Sequence, residues 1–312
     1  MLSKFYNEAI LELALKPRTP LLIKAGGEGG AAIDPTLPDM NFVRTRRNGR
    51  YEVYLPGSSL RGVIRSYAEK LVRSVVPDPT AICDPTDTQG TGRLRRACGT
   101  DEKEIQRLTG KKKATELTGP EAFKISCYIC RLFGNVVLAG RVRVGDFYLE
   151  DEPTLERRYG VAIDRVTGAV VPGALFQLEI LTEGTFSGVI AIRNFTLGQL
   201  GLLAAALLDI GDGLVPIGFG KSKGMGRVEL AFRRFAVRTL KDPQGELRGV
   251  GFWADEKERR DYGLPSQESE RMPWTVPTSR VRGFYEAILE EDASIRELLE
   301  KVAGRWPEEV KE

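Results

Sequence analysis

Histidine is absent from the whole chain of 312 residues. Without an imidazole, the protein cannot use a Ser-His-Asp triad, a Cys-His nucleophile or a histidine general base. Any catalysis must therefore depend on carboxylates, lysines, tyrosines or a bound metal ion. This absence excludes several mechanistic classes before any motif is considered.

Long apolar runs are also missing. The longest stretch, residues 200–208, is far shorter than the ~20 apolar residues that a membrane-spanning helix requires. The first residues mix acidic side chains into an apolar pattern, which is not the composition of a secretory signal. We therefore expect a cytoplasmic protein with no membrane partner.

The net charge of +3 conceals an uneven distribution of charged residues. Residues 44–73 contain eight basic side chains and two acidic ones, and residues 90–113 contain eight basic and three acidic. The chain beyond residue 254 is rich in Glu and Asp. Clustered cations favour a polyanionic partner, although a solvated surface of uneven charge remains the alternative.

The order of apolar patterns predicts an α+β fold. The apolar pattern predicts strands at 11–25, 50–55, 136–148, 175–181, 186–193 and 227–237, of which 50–55 alternates apolar and polar residues and 11–25 is interrupted by Pro17 and Pro20. Helical spacing predicts one helix capped by Ser58 or Ser59 and a second at 197–208. Together they give the order of a ferredoxin-like (RRM-like) βαββαβ core.

This interpretation divides the chain into three parts. Residues 1–76 and 131–240 form the predicted core, and residues 77–130 form an insertion, because periodicity fails between residues 77 and 122. Residues 241–312 form a charged linker with a C-terminal helical extension. Apolar residues between Phe284 and Val302 predict one amphipathic helical stretch in this last part.

Four cysteines lie in or at the end of the insertion: Cys83, Cys98, Cys127 and Cys130. The last two are separated by two residues, a spacing that lets both thiolates bind one tetrahedral metal. A reducing cytoplasm disfavours disulfides, and the insertion has few apolar residues with which to fold unaided. We predict a closed structural zinc site, with unrelated buried cysteines as the alternative.

Two further segments have the composition of phosphate-binding sites. Residues 55–62 (LPGSSLRG) place hydroxyl groups at a helix N-terminus, followed by arginines one turn apart. The glycine-rich loop, residues 218–227 (GFGKSKGMGR), combines cations with glycines that let a phosphodiester approach the backbone. An ordinary capped helix and a glycine-rich hairpin are the alternatives. The candidate RNA contacts are Ser58, Ser59, Arg61, Arg65, Gly220, Lys221, Lys223, Gly224 and Arg227.

Taken in order, these segments resemble the RAMP superfamily of CRISPR-associated proteins, and in particular the backbone subunits of type III effector complexes. Residues 131–135 (RLFGN) are similar to that family's Leu-Phe-Gly turn, and residues 163–165 (IDR) to the segment before its RNA-gripping thumb. The resemblance covers about residues 19–237. It implies binding to guide RNA (crRNA), target RNA and other CRISPR effector subunits, and it adds Arg165 to the candidate RNA contacts.

The resemblance also implies an active-site aspartate. In cleaving relatives an aspartate follows a Gly-Gly turn shortly before the Pro-Gly-Ser-Ser segment, and the similar layout of residues 26–35 singles out Asp34. Asp34 would hold a divalent cation such as Mg²⁺ while the RNA 2′-hydroxyl attacks the adjacent phosphate. Asp39 is a competing candidate, and a purely structural turn at Asp34 is the alternative.

Four functional hypotheses follow. The first is an RNA-cleaving backbone subunit, and the second is a non-catalytic RNA-binding subunit of the same complex. The third, a guide-processing endoribonuclease, is weakened by the missing histidine. The fourth is a zinc-stapled interaction module without an RNA partner, which salt-sensitive RNA binding would exclude.

Overall fold

The computed structural model describes residues 3–25 and 38–311. Asp34 and the rest of residues 26–37 lie outside the described residues. The strands are β1 (Asn7–Pro17), β2 (Arg44–Arg47), β3 (Arg50–Leu55), β4 (Val142–Val144), β5 (Phe147–Leu149), β6 (Thr154–Ile163), β7 (Val170–Glu183), β8 (Phe186–Arg193), β9 (Val228–Thr239), β10 (Glu246–Arg248), β11 (Arg271–Pro273), β12 (Thr278–Val281) and β13 (Phe284–Leu289).

Helices connect these strands and extend beyond them. The α-helices are α1 (Gly57–Val75), α2 (Glu102–Thr109), α3 (Gly119–Lys124), α4 (Tyr128–Phe133), α5 (Leu197–Gly211), α6 (Val250–Trp253), α7 (Glu256–Tyr262), α8 (Asp292–Ala303) and α9 (Trp306–Lys311). Short 3₁₀-helices occupy Pro79–Ala81, Ala114–Glu116 and Lys221–Lys223. No helix within the described ranges is long and apolar enough to cross a membrane.

An antiparallel sheet forms the centre of the molecule. Its strands run in the order β12-β13-β9-β1-β8-β5-β3-β2, and β4 pairs beside β5 on β8. Alternate residues of β1 (Ala9, Leu11, Leu13 and Leu15) are buried in the same apolar core as α1 and α5. The sequence expectation of an α+β fold is confirmed, because one face of the sheet is covered by helices.

The entry into α1 differs from the sequence prediction. The helix begins at Gly57 with Pro56 at the N-cap position, so the prediction of a serine cap is wrong. Asp146, between β4 and β5, instead accepts a hydrogen bond from the Gly57 N–H at 2.8 Å. A Cβ at Gly57 would lie 2.3 Å from the Val144 carbonyl oxygen, so this close approach requires glycine.

The C-terminal part contains more strand than the apolar pattern predicted. Residues 284–289 form β13, which pairs with β9 and extends the main sheet, so the predicted continuous helix is wrong over this segment. The helical part begins at Asp292. Residues 284–289 form a strand because they pair with the edge of β9, and a local sequence pattern does not show such tertiary pairing. The expected linker also contains α7 and β11.

Strands β6 and β7 form a separate two-stranded hairpin. The sequence predicted only residues 175–181 of it as strand, whereas β7 begins at Val170 and β6 was missed. Most side chains of β6 and of the distal half of β7 are exposed, so no alternation of apolar and polar residues is required there. The predicted strand at 136–148 is likewise divided between β4 and β5.

Candidate metal centre and nucleic-acid interface

Four cysteine side chains converge in the insertion. Their Sγ atoms all lie within 4.8 Å of one another, and all four residues are buried. Cys83 Sγ lies 3.4 Å from Cys130 Sγ and 3.7 Å from Cys127 Sγ. A tetrahedral zinc ion with Zn–S bonds of about 2.3 Å separates its sulfurs by about 3.8 Å, whereas a disulfide bond is about 2.05 Å long. The four thiols therefore fit one tetrahedral metal such as zinc.

Short, irregular segments position these cysteines. Cys83 follows the 3₁₀-helix Pro79–Ala81, Cys98 precedes α2, and Cys127 and Cys130 lie at the start of α4. The Cys127 backbone N–H donates a hydrogen bond to Cys98 Sγ at 3.3 Å. A backbone donor aimed at sulfur favours the thiolate, which is the form that binds metal.

The thiols also perturb one another. Hydrogen bonding with Cys127 raises the pKa of Cys98 and Cys130, whereas hydrogen bonding with Cys130 and the other two thiols lowers the pKa of Cys127 well below its usual value. Four thiols this close cannot all ionise without a nearby cation. A divalent metal would supply that charge, and its binding would release the remaining protons.

The serines and arginines that follow Pro56 have unequal surroundings. Ser58 is exposed and Ser59 is half-buried. Arg61 donates to the Phe133 carbonyl oxygen, and its guanidinium carbon lies 5.8 Å from the centre of the Phe133 ring. Arg65 donates to the Gly134 carbonyl oxygen at 3.1 Å. The structure thus brings both arginines to residues 131–135, and their predicted RNA contact stays a prediction.

The glycine-rich loop presents its lysines to solvent. Gly220 and Gly224 have φ angles of 74° and 79° and flank the exposed 3₁₀-helix Lys221–Lys223. At Gly226, with φ of 85°, a Cβ would lie only 2.0 Å from the Ile217 carbonyl oxygen. Glycine is therefore required at Gly226, and the loop has a fixed backbone shape.

The two lysines of this loop face different elements. Lys223 Nζ lies 5.6 Å from the centre of the Phe176 ring on β7 and 5.9 Å from that of Phe219. Burial and the nearby Lys70 of α1 lower the pKa of Lys221. Neither Lys221 nor Lys223 forms an ion pair with any acidic residue in the described part of the chain. Lys70 and Phe176 are neighbours that sequence reasoning missed, because each lies on an element distant in sequence.

The remaining predicted cations are also exposed. Arg227 is the last residue of the loop, and its backbone N–H donates to Thr19 Oγ1 at 3.0 Å. Arg165 lies in the turn between β6 and β7, where Asp164 accepts from the Val166 and Thr167 N–H groups at 2.9 and 2.7 Å. Six residues of β7 separate this turn from Phe176, which places the turn ~20 Å along the strand from Phe176.

The residues on either side of 26–37 are held at the base of the hairpin. Lys24 pairs with Phe42 in an antiparallel bridge, and the Met40 N–H donates to the Gln177 carbonyl oxygen of β7 at 3.1 Å. Asp39, the competing catalytic candidate, accepts from the Gln177 N–H at 3.1 Å. That contact gives Asp39 a structural partner, while the role of Asp34 stays a prediction.

An ion pair secures the same junction. Arg44 and Glu179 of β7 approach to 2.6 Å, and Glu179 also accepts from the Phe42 N–H at 2.9 Å. Both side chains are largely shielded from water, so breaking the pair would leave an uncompensated charge. The base of the hairpin is therefore tightly joined to the chain that emerges from residues 26–37.

Comparison with known proteins identifies the family. A model of the RAMP superfamily matches residues 14–229, which is more than half of the chain. The match includes α1, the cysteine cluster, the hairpin and the whole glycine-rich loop. No curated protein matches the chain. The chain belongs to the RAMP superfamily, which is associated with CRISPR effector complexes and with RNA binding.

Proposed function

We propose that this chain is a guide-RNA-binding subunit of a type III CRISPR effector complex, assembled with other effector subunits in the cytoplasm. The observation that carries the proposal is the pair of exposed lysines on the glycine-rich loop, which lack a described carboxylate partner. Uncompensated cations on a backbone held in one shape suit a phosphodiester chain. The exposed hairpin that ends at Arg165 would extend the contact along the strand.

The proposed core has the ferredoxin-like arrangement. Strands β9, β1, β8 and β5 are neighbours in that order and antiparallel, with α1 after β1 and α5 after β8. This is the strand order of a split βαβ sheet, which supports the proposal. We assign residues 1–76 and 131–240 to the core, residues 77–130 to the metal-binding insertion and residues 241–312 to the C-terminal extension.

The metal of the insertion is proposed to be zinc with a structural role. Four cysteines fill all the positions of a tetrahedral ion, which leaves no open position for chemistry. Cys83, Cys98, Cys127 and Cys130 would hold the ion. It would supply folding free energy to a segment whose helices are short.

Cleavage of bound target RNA is the catalytic part of the proposal. Asp34 would orient a divalent cation such as Mg²⁺ for attack by the RNA 2′-hydroxyl. Two observations support this role. The described chain on either side of residues 26–37 is fixed beside β7, and Lys223 lies against Phe176 of the same strand. A lysine ammonium at this place could stabilise negative charge on the phosphorane.

RNA binding is tested with a charge-matched pair of variants. Lys221→Ala/Lys223→Ala should weaken binding of single-stranded RNA of any sequence. The slope of log K against log salt should fall by about 1.4, since each phosphate contact on a single strand contributes about 0.7. Fluorescence anisotropy at several salt concentrations measures both quantities. The control, Lys257→Ala/Lys301→Ala, removes two exposed lysines that pair with Asp261 and Glu297 on the C-terminal helices. Equal losses in both double variants would refute the assignment.

Cleavage is tested separately from binding. Asp34→Ala, assayed with Mg²⁺ and a target RNA paired to guide, should abolish cleavage while leaving RNA affinity unchanged. Asp39→Ala is the matched control, because Asp39 already accepts a backbone hydrogen bond. Unchanged cleavage in Asp34→Ala would end the assignment of Asp34, and loss of cleavage in Asp39→Ala alone would favour Asp39. Absence of cleavage by the wild type would favour the non-catalytic RNA-binding subunit.

A further inference from the structure

Four charged residues form a row along one side of α1. Arg61, Arg65, Glu69 and Arg73 recur every fourth residue, so they share a face of the helix; we call this row the α1 polar stripe. Glu69 is buried, and the three arginines are only partly exposed. The stripe therefore faces the protein rather than solvent, although its arginines belong to a sequence with the composition of an RNA-binding segment.

The three arginines of the stripe contact the insertion or the residues that follow it. Arg73 donates to the Cys83 carbonyl oxygen at 3.0 Å, and Arg61 donates to the Phe133 carbonyl oxygen. Glu69 lies between the arginines, 3.0 Å from Arg65 Nε and 3.6 Å from Arg73 Nη2. The stripe thus holds the cysteine-containing segments against the core helix.

Arg65 reaches one of the metal-binding sulfurs directly. Its Nη2 lies 3.5 Å from Cys130 Sγ, while its Nη1 donates to the Gly134 carbonyl oxygen at 3.1 Å. Apart from the cysteines themselves, it is the one side chain in the described ranges that donates to any of the four sulfurs. One guanidinium therefore joins α1, a cysteine and the residue that ends α4.

The contact between Arg65 and Cys130 would also balance the negative charge of the metal site. A zinc ion with four thiolates has a net charge of −2, which is costly to bury unless cations lie nearby. Arg95 and Arg131 also lie close to the cluster, and attraction to Cys98 and Cys127 opposes the lowering of their pKa values by burial. Arg65 differs from these two because it donates a hydrogen bond to sulfur.

We propose that Arg65 is a positioning residue of the metal centre, donating a hydrogen bond to the Cys130 thiolate and thereby making metal binding depend on helix α1. The inference rests on the proposed metal site. It assigns a motif arginine, which the sequence alone placed among the RNA contacts, to the support of the insertion. Loss of such a hydrogen-bond partner typically weakens metal binding 10- to 100-fold.

The test is a metal titration of the full-length protein. Purified protein is stripped of metal and titrated with Co²⁺ in the presence of a competing chelator, and the thiolate-to-cobalt absorption band reports occupancy. Arg65→Ala should weaken Co²⁺ binding 10- to 100-fold and shift that band, because the sulfur loses its donor. Arg65→Lys, which keeps the charge, should recover part of the affinity.

Arg61→Ala is the matched control. It removes an arginine from the same stripe and a hydrogen bond to the same turn, but it does not touch a sulfur. Its Co²⁺ affinity should stay within about threefold of wild type. Circular dichroism of each zinc-saturated variant verifies that the chain is folded.

The outcomes distinguish the role of Arg65 from the existence of the metal site and from RNA binding. Wild-type metal affinity in both Arg65 variants, or an equal loss in Arg61→Ala, overturns the role of Arg65. Failure of the wild type to bind one Co²⁺ or Zn²⁺ overturns the metal site itself. If zinc-saturated Arg65→Ala binds metal normally but loses RNA affinity, Arg65 is an RNA contact and the inference is wrong.

Discussion

The α1 polar stripe and the glycine-rich loop both present cations beside a helix terminus or a glycine turn, but their charges are satisfied differently. Arg61 and Arg65 donate to backbone carbonyls and a sulfur within the chain. Lys221 and Lys223 are exposed on a fixed backbone, and neither pairs with a carboxylate among the described residues, while Lys223 lies against the rings of Phe176 and Phe219. Cations that already donate to acceptors within the chain stabilise the fold, whereas those without a carboxylate or carbonyl partner remain available to a polyanion.

Two helix N-termini are also occupied by groups of the chain itself. The N-terminus of α1 is occupied by the Asp146 carboxylate, and that of α5 by two carboxyl groups from the C-terminal part of the chain, one buried and one partly buried. Glu270 accepts from the Leu197 N–H at 2.8 Å, and Glu309 accepts from the Gly198 N–H at 2.9 Å. Neither terminus therefore offers an open phosphate site, despite the favourable dipole.

Loss of a metal ligand beside the α1 polar stripe should produce the largest effect of all the changes considered. Cys130→Ser removes a thiolate and the partner of Arg65, so the insertion should lose its metal and much of its stability. Structural zinc contributes about 10–16 kcal/mol to the folding of small zinc-dependent segments. Zinc content and thermal unfolding measure the outcome. Thr100→Ala, which loses a local hydrogen bond to the Ala97 carbonyl, should retain one zinc ion. Full zinc content in Cys130→Ser would contradict the four-cysteine site.

Substitutions of two glycines test the fixed backbone of the glycine-rich loop. Gly226→Ala places a Cβ against the Ile217 carbonyl oxygen and should lower the free energy of unfolding by about 3 kcal/mol and weaken RNA binding. Gly224→Ala has similar φ but open space around its Cβ, so it should cost only about 1 kcal/mol. Urea unfolding compares the two. Equal destabilisation would mean that the loop backbone is not held by this close contact.

A pH-dependent effect should be the smallest of the three. Burial, reinforced by Glu309, raises the pKa of Glu270 to about 8 from an ordinary value of 4.5. The folded chain therefore keeps a proton on Glu270 that the unfolded chain loses above about pH 4.5. This contribution to stability is lost as the pH rises toward 8.

The measurement compares thermal unfolding of zinc-saturated variants between pH 6 and pH 8.5. The wild type should lose more stability over this range than Glu270→Gln, which keeps an acceptor for the Leu197 N–H. Glu268→Gln changes an exposed neighbour and should follow the wild type. Parallel curves for wild type and Glu270→Gln would show that Glu270 is ionised in the fold.

Local pattern predicted those parts of the fold in which one face of an element is buried. The strand at 186–193 has the predicted bounds, and the predicted helix at α1 buries one face through Leu60, Ile64 and Ala68. Strand β6 was missed because neither of its faces is buried, and β13 was predicted as helix because only pairing with β9 makes it a strand. Sequence spacing identified the four cysteines that converge.

The partners of the predicted RNA contacts could not be read from the sequence. Arg65 and Lys223 are both cations near glycine, but only the folded chain brings Cys130 to the first and Phe176 to the second. Asp146 likewise caps α1 from a position nearly ninety residues later in the chain, at a helix start that the sequence assigned to serine. Such long-range partners decide whether a charge is internal or available.

Lysine footprinting of the RNA complex tests the central claim most directly. The full chain is treated with an amine-reactive label, with and without saturating single-stranded RNA, and the labelled lysines are quantified by mass spectrometry. We expect RNA to protect Lys221 and Lys223 strongly and to leave Lys257 and Lys301 unchanged. Undiminished labelling of Lys221 and Lys223 in the saturated complex would contradict the assignment of the glycine-rich loop as the RNA-binding surface.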